Sequence, residues 1–178
     1  MKGLFLIILI CTVSSPIVAQ QQIQFEPSTA NFTIKNAGLK VHGTVGGLEG
    51  FMLLDGQSTD LNKVGGTIDA ETIKTGIELR DKHLKKRDYF NVKEYPKIIM
   101  TSTSLKKNSK TKYTGNFDLT IKDIKKSIAV PITFSKQGDS YILKGRFSIN
   151  RLDFKLGEKS LILSDNVDIE MEIKGVAK

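Results

Sequence analysis

The stretch VDIEMEIK, residues 167–174, alternates apolar and charged side chains without a break. The apolar residues at every second position are Val167, Ile169, Met171 and Ile173. Successive side chains of a β-strand point to opposite faces of the sheet, so a period of two gives one apolar face and one charged face. The stretch therefore predicts a strand that covers a hydrophobic interior on one side and faces water on the other.

The same alternation recurs through the second half of the chain. It appears in three further segments, which follow one another with turn-rich joins at residues 108–111 and 137–139. Segments of this kind in close succession predict antiparallel neighbours in one sheet. Their apolar positions are Tyr113, Phe117, Leu119 and Ile121, then Ile128, Val130, Ile132 and Phe134, then Tyr141, Leu143, Phe147 and Ile149.

Shorter apolar segments upstream predict the remaining strands. They lie at residues 32–34, 39–45, 51–53, 64–73 and 98–100, and several are interrupted by glycine. Glycine inside strands marks the bulges and bends that let a sheet curl closed. With about eight or nine strands, the chain is predicted to be all-β and to close into an antiparallel barrel. Such a barrel either fills with its own side chains or encloses one small ligand, and periodicity does not decide between these two.

One segment departs from the period of two. Residues 75–91 have helical spacing, with Thr75 as the expected N-cap and Glu78 as its partner in a capping box. Residues three and four apart share a helix face, so one face of this helical insertion is expected to lie toward the barrel. That face carries Ile77, Arg80, Asp81 and Leu84.

The first residues have the pattern of a secretory signal peptide. Lys2 precedes an apolar run from Gly3 to Val13, and a cleavage-like region ends at Ala19. The run is shorter than the roughly 20 residues that span a bilayer. We expect residues 1–19 to be removed and residues 20–178 to form one domain that is periplasmic or secreted. The single cysteine lies in the removed segment, which excludes disulfides and cysteine metal sites from the exported chain.

Few residues point to catalysis. His42 and His83 come from different elements and have no partners at metal-ligand spacing, so no metal site is expected. The sequence contains neither a nucleophile elbow nor a phosphate-binding glycine loop. Asp81 or Asp88 could act as a general base, but no second catalytic group accompanies either. The chain is therefore predicted not to be an enzyme, with no catalytic residues and no cofactor.

Two sets of residues keep two interpretations each. The polar cluster of Arg80, Asp81, Arg151 and Asp153 would either form structural ion pairs or offer an arginine to the polar head of a ligand, because a buried charge needs a partner. The aromatic set would be either plain core or the wall of a pocket. That set consists of Tyr89, Phe90, Tyr95, Phe117, Phe134 and Phe147.

The formal net charge of the chain is +8, with basic runs such as Lys106-Lys107 and Lys125-Lys126. Such runs are either solvated loops or a surface for transient contact with an anionic membrane. Nucleic acid is not an expected partner, because the chain has no tryptophan and no aromatic residues interleaved with its lysines.

Three blocks of the sequence resemble the YceI-like family and occur in its order. RDKHLKKRDYFNVKEYPKIIMTS, residues 80–102, has the family's Arg-Asp, leucine, aromatic pair and Tyr-Pro ahead of a strand. GNFDLTIKDIKKSIAVPITF, residues 115–134, is similar to its Leu-Thr-Ile hairpin and Val-Pro strand. FSINRLDFKLGEKSLILSDNVDIEMEI, residues 147–173, resembles its Asn-Arg-x-Asp-Phe loop and closing strand. The resemblance spans about residues 31–174, with departures at Asn36, Val45, Met100 and Asp123.

The resemblance implies a hollow, lipocalin-like barrel that holds a polyisoprenoid chain, such as an isoprenoid quinone or a prenyl alcohol, for carriage or storage in the cell envelope. Burial of an apolar chain contributes roughly 25 cal/mol for each Å² removed from water, so a dry tube binds it without catalytic groups. Arg80, Asp81 and Arg151 are the candidates for the mouth of the tube. The expected wall consists of Leu84, Tyr89, Phe90, Ile98, Met100, Phe117, Leu119, Ile132, Phe134, Phe147 and Ile149.

A second function stays open: an envelope-stress or interaction protein that binds no ligand and has a filled barrel with a basic docking surface. Its binding would weaken with salt, because exposed charges are screened. The sequence does not fix the chain length or head group of the lipid. It also leaves open the oligomeric state, for which a homodimer is one option, and whether Arg80, Asp81 and Arg151 contact ligand or only each other.

Overall fold

The structure, a computed structural model, describes residues 20–177, so the expected signal peptide lies outside the described residues. Within them the chain forms nine strands, the helix α1 at Glu78–Leu84, and two short 3₁₀ helices at Ala70–Thr72 and Arg151–Phe154. In this part of the chain no helix has the length and apolar character needed to cross a membrane. The strands are β1 Gln21–Phe25, β2 Ser28–Asn36, β3 Leu39–Leu54, β4 Leu61–Asp69, β5 Lys97–Lys107, β6 Lys112–Ile121, β7 Ile124–Gln137, β8 Ser140–Asn150 and β9 Leu163–Ala177.

The strands β2 to β9 form a closed antiparallel barrel. From β4 to β9 each strand pairs with the next along the chain, β9 then pairs with β2, and the pairings of β2 with β3 and of β3 with β4 complete the ring. A closed ring leaves no free sheet edge for another chain to pair with. The all-β barrel with one helical insertion, predicted from the alternation of apolar residues, is confirmed.

The ninth strand, β1, continues the line of β2. Gln24 of β1 pairs with Phe51 of β3 and with Val176 of β9, and β3 and β9 are also the two strands that flank β2. Pro27 stands between β1 and β2, where its missing N–H would interrupt a continuous ladder. The two short strands thus share one position in the sheet.

The long strand β3 bends next to a glycine. Gly47 has a φ of 66°, in the left-handed region that favours glycine, and the register between β2 and β3 shifts between Ser28 and Ala30. A bulge at this point lets the first half of β3 pair with β2 and the second half with β1 and β4. Residues 39–45 and 51–53, predicted as two strands, therefore belong to one.

The barrel has two unlike ends. One end, which we name the mouth end, carries the β2–β3 turn, the crossover at residues 70–96, the β6–β7 turn and residues 151–162. The opposite end, the closed end, carries β1 and the remaining hairpin turns. Here the interior is filled by part of the main hydrophobic core, including Ile23, Met52 and Leu54, which are all inaccessible to solvent.

The helix is shorter than predicted and begins differently. Its N-cap is Ile77, without a side-chain hydrogen bond at the cap, and Gly76 before it has a φ of 81° that is not helical. The N–H and the hydroxyl of Thr75 both donate to the carboxylate of Asp81, so Thr75 does not cap the helix. After Leu84 the chain continues in hydrogen-bonded turns. The predicted capping box is therefore wrong, and Ile77 is exposed instead of facing the barrel.

Candidate functional site

An apolar cavity of about 390 Å³ extends from the mouth end into the barrel. Inward side chains of all eight ring strands line it, together with side chains from the crossover between β4 and β5. The volume lies within the range of roughly 300–1,000 Å³ that is typical of small-molecule sites. Ten of the wall residues named from the sequence line this cavity: Leu84, Tyr89, Phe90, Ile98, Met100, Phe117, Leu119, Ile132, Phe147 and Ile149.

The exposure of inward side chains along β9 shows where the cavity opens. Val167, Ile169 and Met171 line the cavity and are only half-buried, whereas Ile173, nearer the closed end, is 3% exposed. Solvent therefore reaches the inner wall near the mouth end and not near the closed end. Sequence reasoning placed these residues on the apolar face but did not select them for the wall, because alternation says nothing of where along a strand the interior is empty.

Phe134 is the predicted wall residue that does not line the cavity. Its ring lies between the rings of Tyr113 and Tyr141, edge-on to the first and stacked on the second. The Tyr113 hydroxyl accepts a hydrogen bond from the Leu61 N–H, and the Tyr141 hydroxyl donates to Gln21 Oε1, both at 3.3 Å. Phe134, Tyr113 and Tyr141 thus form a buried aromatic cluster, the aromatic plug, which lies beyond the cavity lining toward the closed end.

Arg80 and Asp81 are both held by Thr75. The Arg80 guanidinium donates from Nε to the Thr75 hydroxyl at 2.7 Å and from Nη2 to the Thr75 carbonyl oxygen at 2.8 Å. Asp81 accepts from the N–H of the same threonine at 2.7 Å and from its hydroxyl. Arg80 is half-buried, lines the cavity and forms no ion pair within residues 20–177, while Asp81 does not line the cavity.

Arg151 is 2% exposed and bonds mainly to backbone oxygens. Its guanidinium donates to the carbonyl oxygens of Ser164 and Leu156, each at 2.9 Å, and forms an ion pair with Asp165 at 3.3 Å. These bonds fasten the second 3₁₀ helix to the beginning of β9. Arg151 also borders the cavity, but its donors are engaged by the protein, and Asp153 from the same predicted cluster is exposed.

Further polar side chains border the opening of the cavity. Asn36 contributes from the end of β2, and Thr75 and His83 contribute from the crossover. The His83 ring packs edge-on against Tyr89, with 5.0 Å between ring centroids. The sequence singled out His83 only to exclude it as a metal ligand, and no residue pattern indicated that these three side chains meet at one opening.

Three of the four positions at which the chain departs from the family resemblance border the cavity. These are Asn36, Val45 and Met100, whereas Asp123 lies in the turn between β6 and β7. Smaller or more flexible side chains at the wall change the shape of the space without changing the strands that enclose it.

The groups considered for catalysis do not converge. Asp88 is exposed, and one carboxylate oxygen of Asp81 is occupied by Thr75. Within residues 20–177 no group of three or more His, Cys, Asp or Glu side chains is arranged to hold a metal ion. At the mouth end, polar side chains therefore border the cavity opening, and the wall below them is apolar.

Comparison with known proteins connects this architecture to a family. A model of the YceI-like domain matches residues 21–175. A UPF0312 protein of Photorhabdus laumondii is 30% identical over 181 residues, which cover 94% of this chain and 92% of the relative.

Solved structures share the fold at lower sequence identity. The crystal structure of BcnA from Burkholderia cenocepacia has a TM-score of 0.76 and 22% identity, with 83% of this chain and 95% of that chain covered. A polyisoprenoid binding domain from Saccharophagus degradans, implicated in plant cell wall breakdown, has a TM-score of 0.73 and 13% identity, with 90% and 100% covered.

Proposed function

The chain belongs to the YceI-like family, and from this membership we propose that it is an exported carrier that holds a long-chain isoprenoid, such as an isoprenoid quinone or a prenyl alcohol, in its barrel. The observation that carries the proposal is the apolar cavity, which is open at the mouth end, with the aromatic plug filling the barrel beyond it toward the closed end. The polyisoprenoid binding domain of the same fold gives it further support.

The cavity suits a hydrocarbon chain because its wall offers almost no hydrogen-bonding groups. A branched apolar chain would lie against the inward side chains of β5, β6, β8 and β9 and gain roughly 25 cal/mol for each Å² removed from water. A small-molecule site needs only a few polar groups to fix the orientation of its ligand, and here these groups lie at the cavity opening. The tail of the lipid would therefore enter first and the head would stay at the mouth end.

Arg80 is the group we expect to meet the head. Two of its nitrogens are used by Thr75, and within the described residues no carboxylate lies within 4.0 Å of its guanidinium nitrogens. A partly buried cation of this kind stabilises an oxygen-bearing head by a charge-assisted hydrogen bond. Asn36 and His83 lie at the same opening and can add hydrogen bonds to the oxygens of a quinone or an alcohol.

The proposed site of action is the cell envelope or the exterior, where the lipid is carried or stored. Support comes from the signal-peptide pattern of residues 1–19. We expect the lipid to be recovered chemically unchanged, since a carrier needs no catalytic group.

The test is extraction of purified protein with organic solvent, followed by mass spectrometry and by reloading with a quinone or a prenyl alcohol. Met171→Trp should fill the cavity and abolish loading, whereas Glu172→Trp, on the adjacent outward position, should load like wild type. Protein that is reproducibly free of lipid and takes up neither compound would refute the proposal, and equal loading of both variants would remove the cavity as its site.

The alternative function, a ligand-free interaction protein, required a filled barrel. The cavity of about 390 Å³ counts against that form of it. Among the described residues, exposed lysines remain at both ends of the barrel, so a docking surface is compatible with the carrier function.

A further inference from the structure

The exposed apolar side chains of this protein are concentrated at the mouth end. Within residues 20–177 seven large hydrophobic side chains are exposed, and five of them lie at the mouth end, on its loops, on α1 or at the start of β3. Leu79 is 79% exposed and Leu39 is 74% exposed, so the described part of the chain leaves both side chains largely uncovered. The five residues, which we name the apolar rim, are Leu39, Ile77, Leu79, Leu161 and Ile162.

The fold places the apolar rim beside the cavity opening in two groups. On one side, the Ala37 N–H donates to the Ile162 carbonyl oxygen at 2.8 Å, which joins the β2–β3 turn to the loop before β9. On the other side, Ile77 and Leu79 flank Arg80, which lines the cavity. Two groups of exposed apolar side chains therefore border the opening.

Cations accompany the apolar rim. Lys40 follows Leu39, and Lys86 and Arg87 follow the helix that carries Leu79. Each of these three is exposed, and none forms an ion pair within the described residues. Lysine and arginine beside exposed leucine and isoleucine form the combination that binds the headgroup region of an anionic bilayer.

The closed end provides an internal comparison. It carries the basic run Lys106-Lys107, one of the two that the sequence offered as a membrane contact, followed by Lys110 and Lys112. Among the described residues, the closed end has a single exposed large hydrophobic side chain, that of Val176, which is 39% exposed. Charge is thus found at both ends of the barrel, but apolar side chains able to enter a bilayer are grouped at the mouth end.

We propose that the mouth end docks on an anionic lipid bilayer, with the apolar rim in the boundary between headgroups and acyl chains and the cavity opening against the membrane. Exposed apolar side chains that are grouped together and bordered by polar groups mark an interaction site, and their position beside the opening of an apolar cavity selects a lipid surface as the partner. This inference rests on the proposed function, because docking lets an isoprenoid pass between bilayer and cavity without crossing water.

The experiment is flotation of the folded protein with vesicles of phosphatidylcholine, with and without phosphatidylglycerol. Wild type should bind the vesicles that contain phosphatidylglycerol, and added salt should weaken the binding. A double variant, Leu79→Asp with Leu161→Asp, should bind at least about tenfold more weakly, because carboxylates oppose both insertion and the anionic surface. The matched control, Lys110→Gln with Lys112→Gln at the closed end, should bind like wild type.

Other outcomes would overturn the inference. These are equal binding to both kinds of vesicle, binding to neither, or an equal loss in the closed-end control. A wild-type dimer in sedimentation experiments that the double variant dissociates would assign the apolar rim to a second copy of the chain. Loading with a prenyl alcohol in detergent separates the two proposals: the double variant should load normally if only docking is lost, and failure of wild type to load would refute the carrier function instead.

Discussion

The rings of Phe134 and Tyr141 lie parallel, with 6.0 Å between their centroids and 8° between their planes. They belong to the neighbouring strands β7 and β8, and Tyr113 meets Phe134 edge-on from β6. Stacked and edge-to-face pairs add stabilisation beyond area burial. The aromatic plug is therefore part of the core that fills the closed end of the barrel.

Phe134→Ala should lower the free energy of unfolding by about 3–5 kcal/mol, because it removes a buried ring and leaves a void between two tyrosines. Urea denaturation monitored by circular dichroism measures this. Ile99→Ala, on a side chain that is 44% exposed, is the control and should cost roughly 0.5 kcal/mol or less. A loss at Phe134 as small as that of the control would mean that the plug does not stabilise the barrel.

Arg80→Gln should weaken binding of a prenyl alcohol about tenfold, because it removes one charge-assisted hydrogen bond to the head. Fluorescence competition measures the affinity. Squalene, an isoprenoid without a polar head, should bind the wild type and the Arg80→Gln variant with equal affinity. Arg87→Gln, at an exposed position outside the cavity wall, is the matched control and should change neither affinity. A loss for squalene equal to that for the alcohol would assign Arg80 a structural role through Thr75.

Arg151→Met should destabilise the protein by about 3–5 kcal/mol, because a buried cation with engaged partners is lost and those partners stay behind. Arg146→Met breaks an ion pair with Glu170 in which both side chains are more than half exposed, and it should cost roughly 0–1 kcal/mol. Thermal and urea unfolding of the two variants give the comparison. If the variants were equally stable, the bonds of Arg151 would not secure the loop to β9.

Asp55 should titrate below its ordinary pKa of 3.8, because its carboxylate accepts hydrogen bonds from the Ser58 N–H, the Gln57 N–H and the Ser58 hydroxyl. A lowered pKa in the folded state means that the unfolded chain takes up the proton first as pH falls. The stabilisation of the β3–β4 turn is therefore complete above the unfolded pKa and is lost as pH falls through the folded pKa. NMR titration of the carboxyl carbon tests this, and a pKa at or above 3.8 would contradict it.

The alternation of apolar residues was sufficient to predict the barrel. The period of two in residues 167–174 gave the inward face of β9 correctly, because side-chain direction in a strand depends only on position parity. The same rule could not separate Phe134 from Phe147, which both point inward. Their difference is one of depth along the barrel axis, and depth depends on the stagger of strands that are distant in sequence.

The helical insertion was predicted only in outline. Thr75 and Glu78 have capping-box spacing, but Gly76 between them has a φ of 81° that is not helical, and the carboxylate of Asp81 takes the N–H and hydroxyl of Thr75. The grouping of Asn36, Thr75 and His83 at one opening was also beyond the sequence. It arises because the β2–β3 turn and the crossover meet at the mouth end when the ring closes.

The pairing of Ile23 with Ala177 brings the first and last strands together at the closed end. A surface tether or a fluorescent protein fused at either position would therefore extend away from the opening and leave it free to collide with vesicles. The same neighbourhood favours circular permutation, since a short linker could join these strands while new ends are made at Gly138 in the β7–β8 turn.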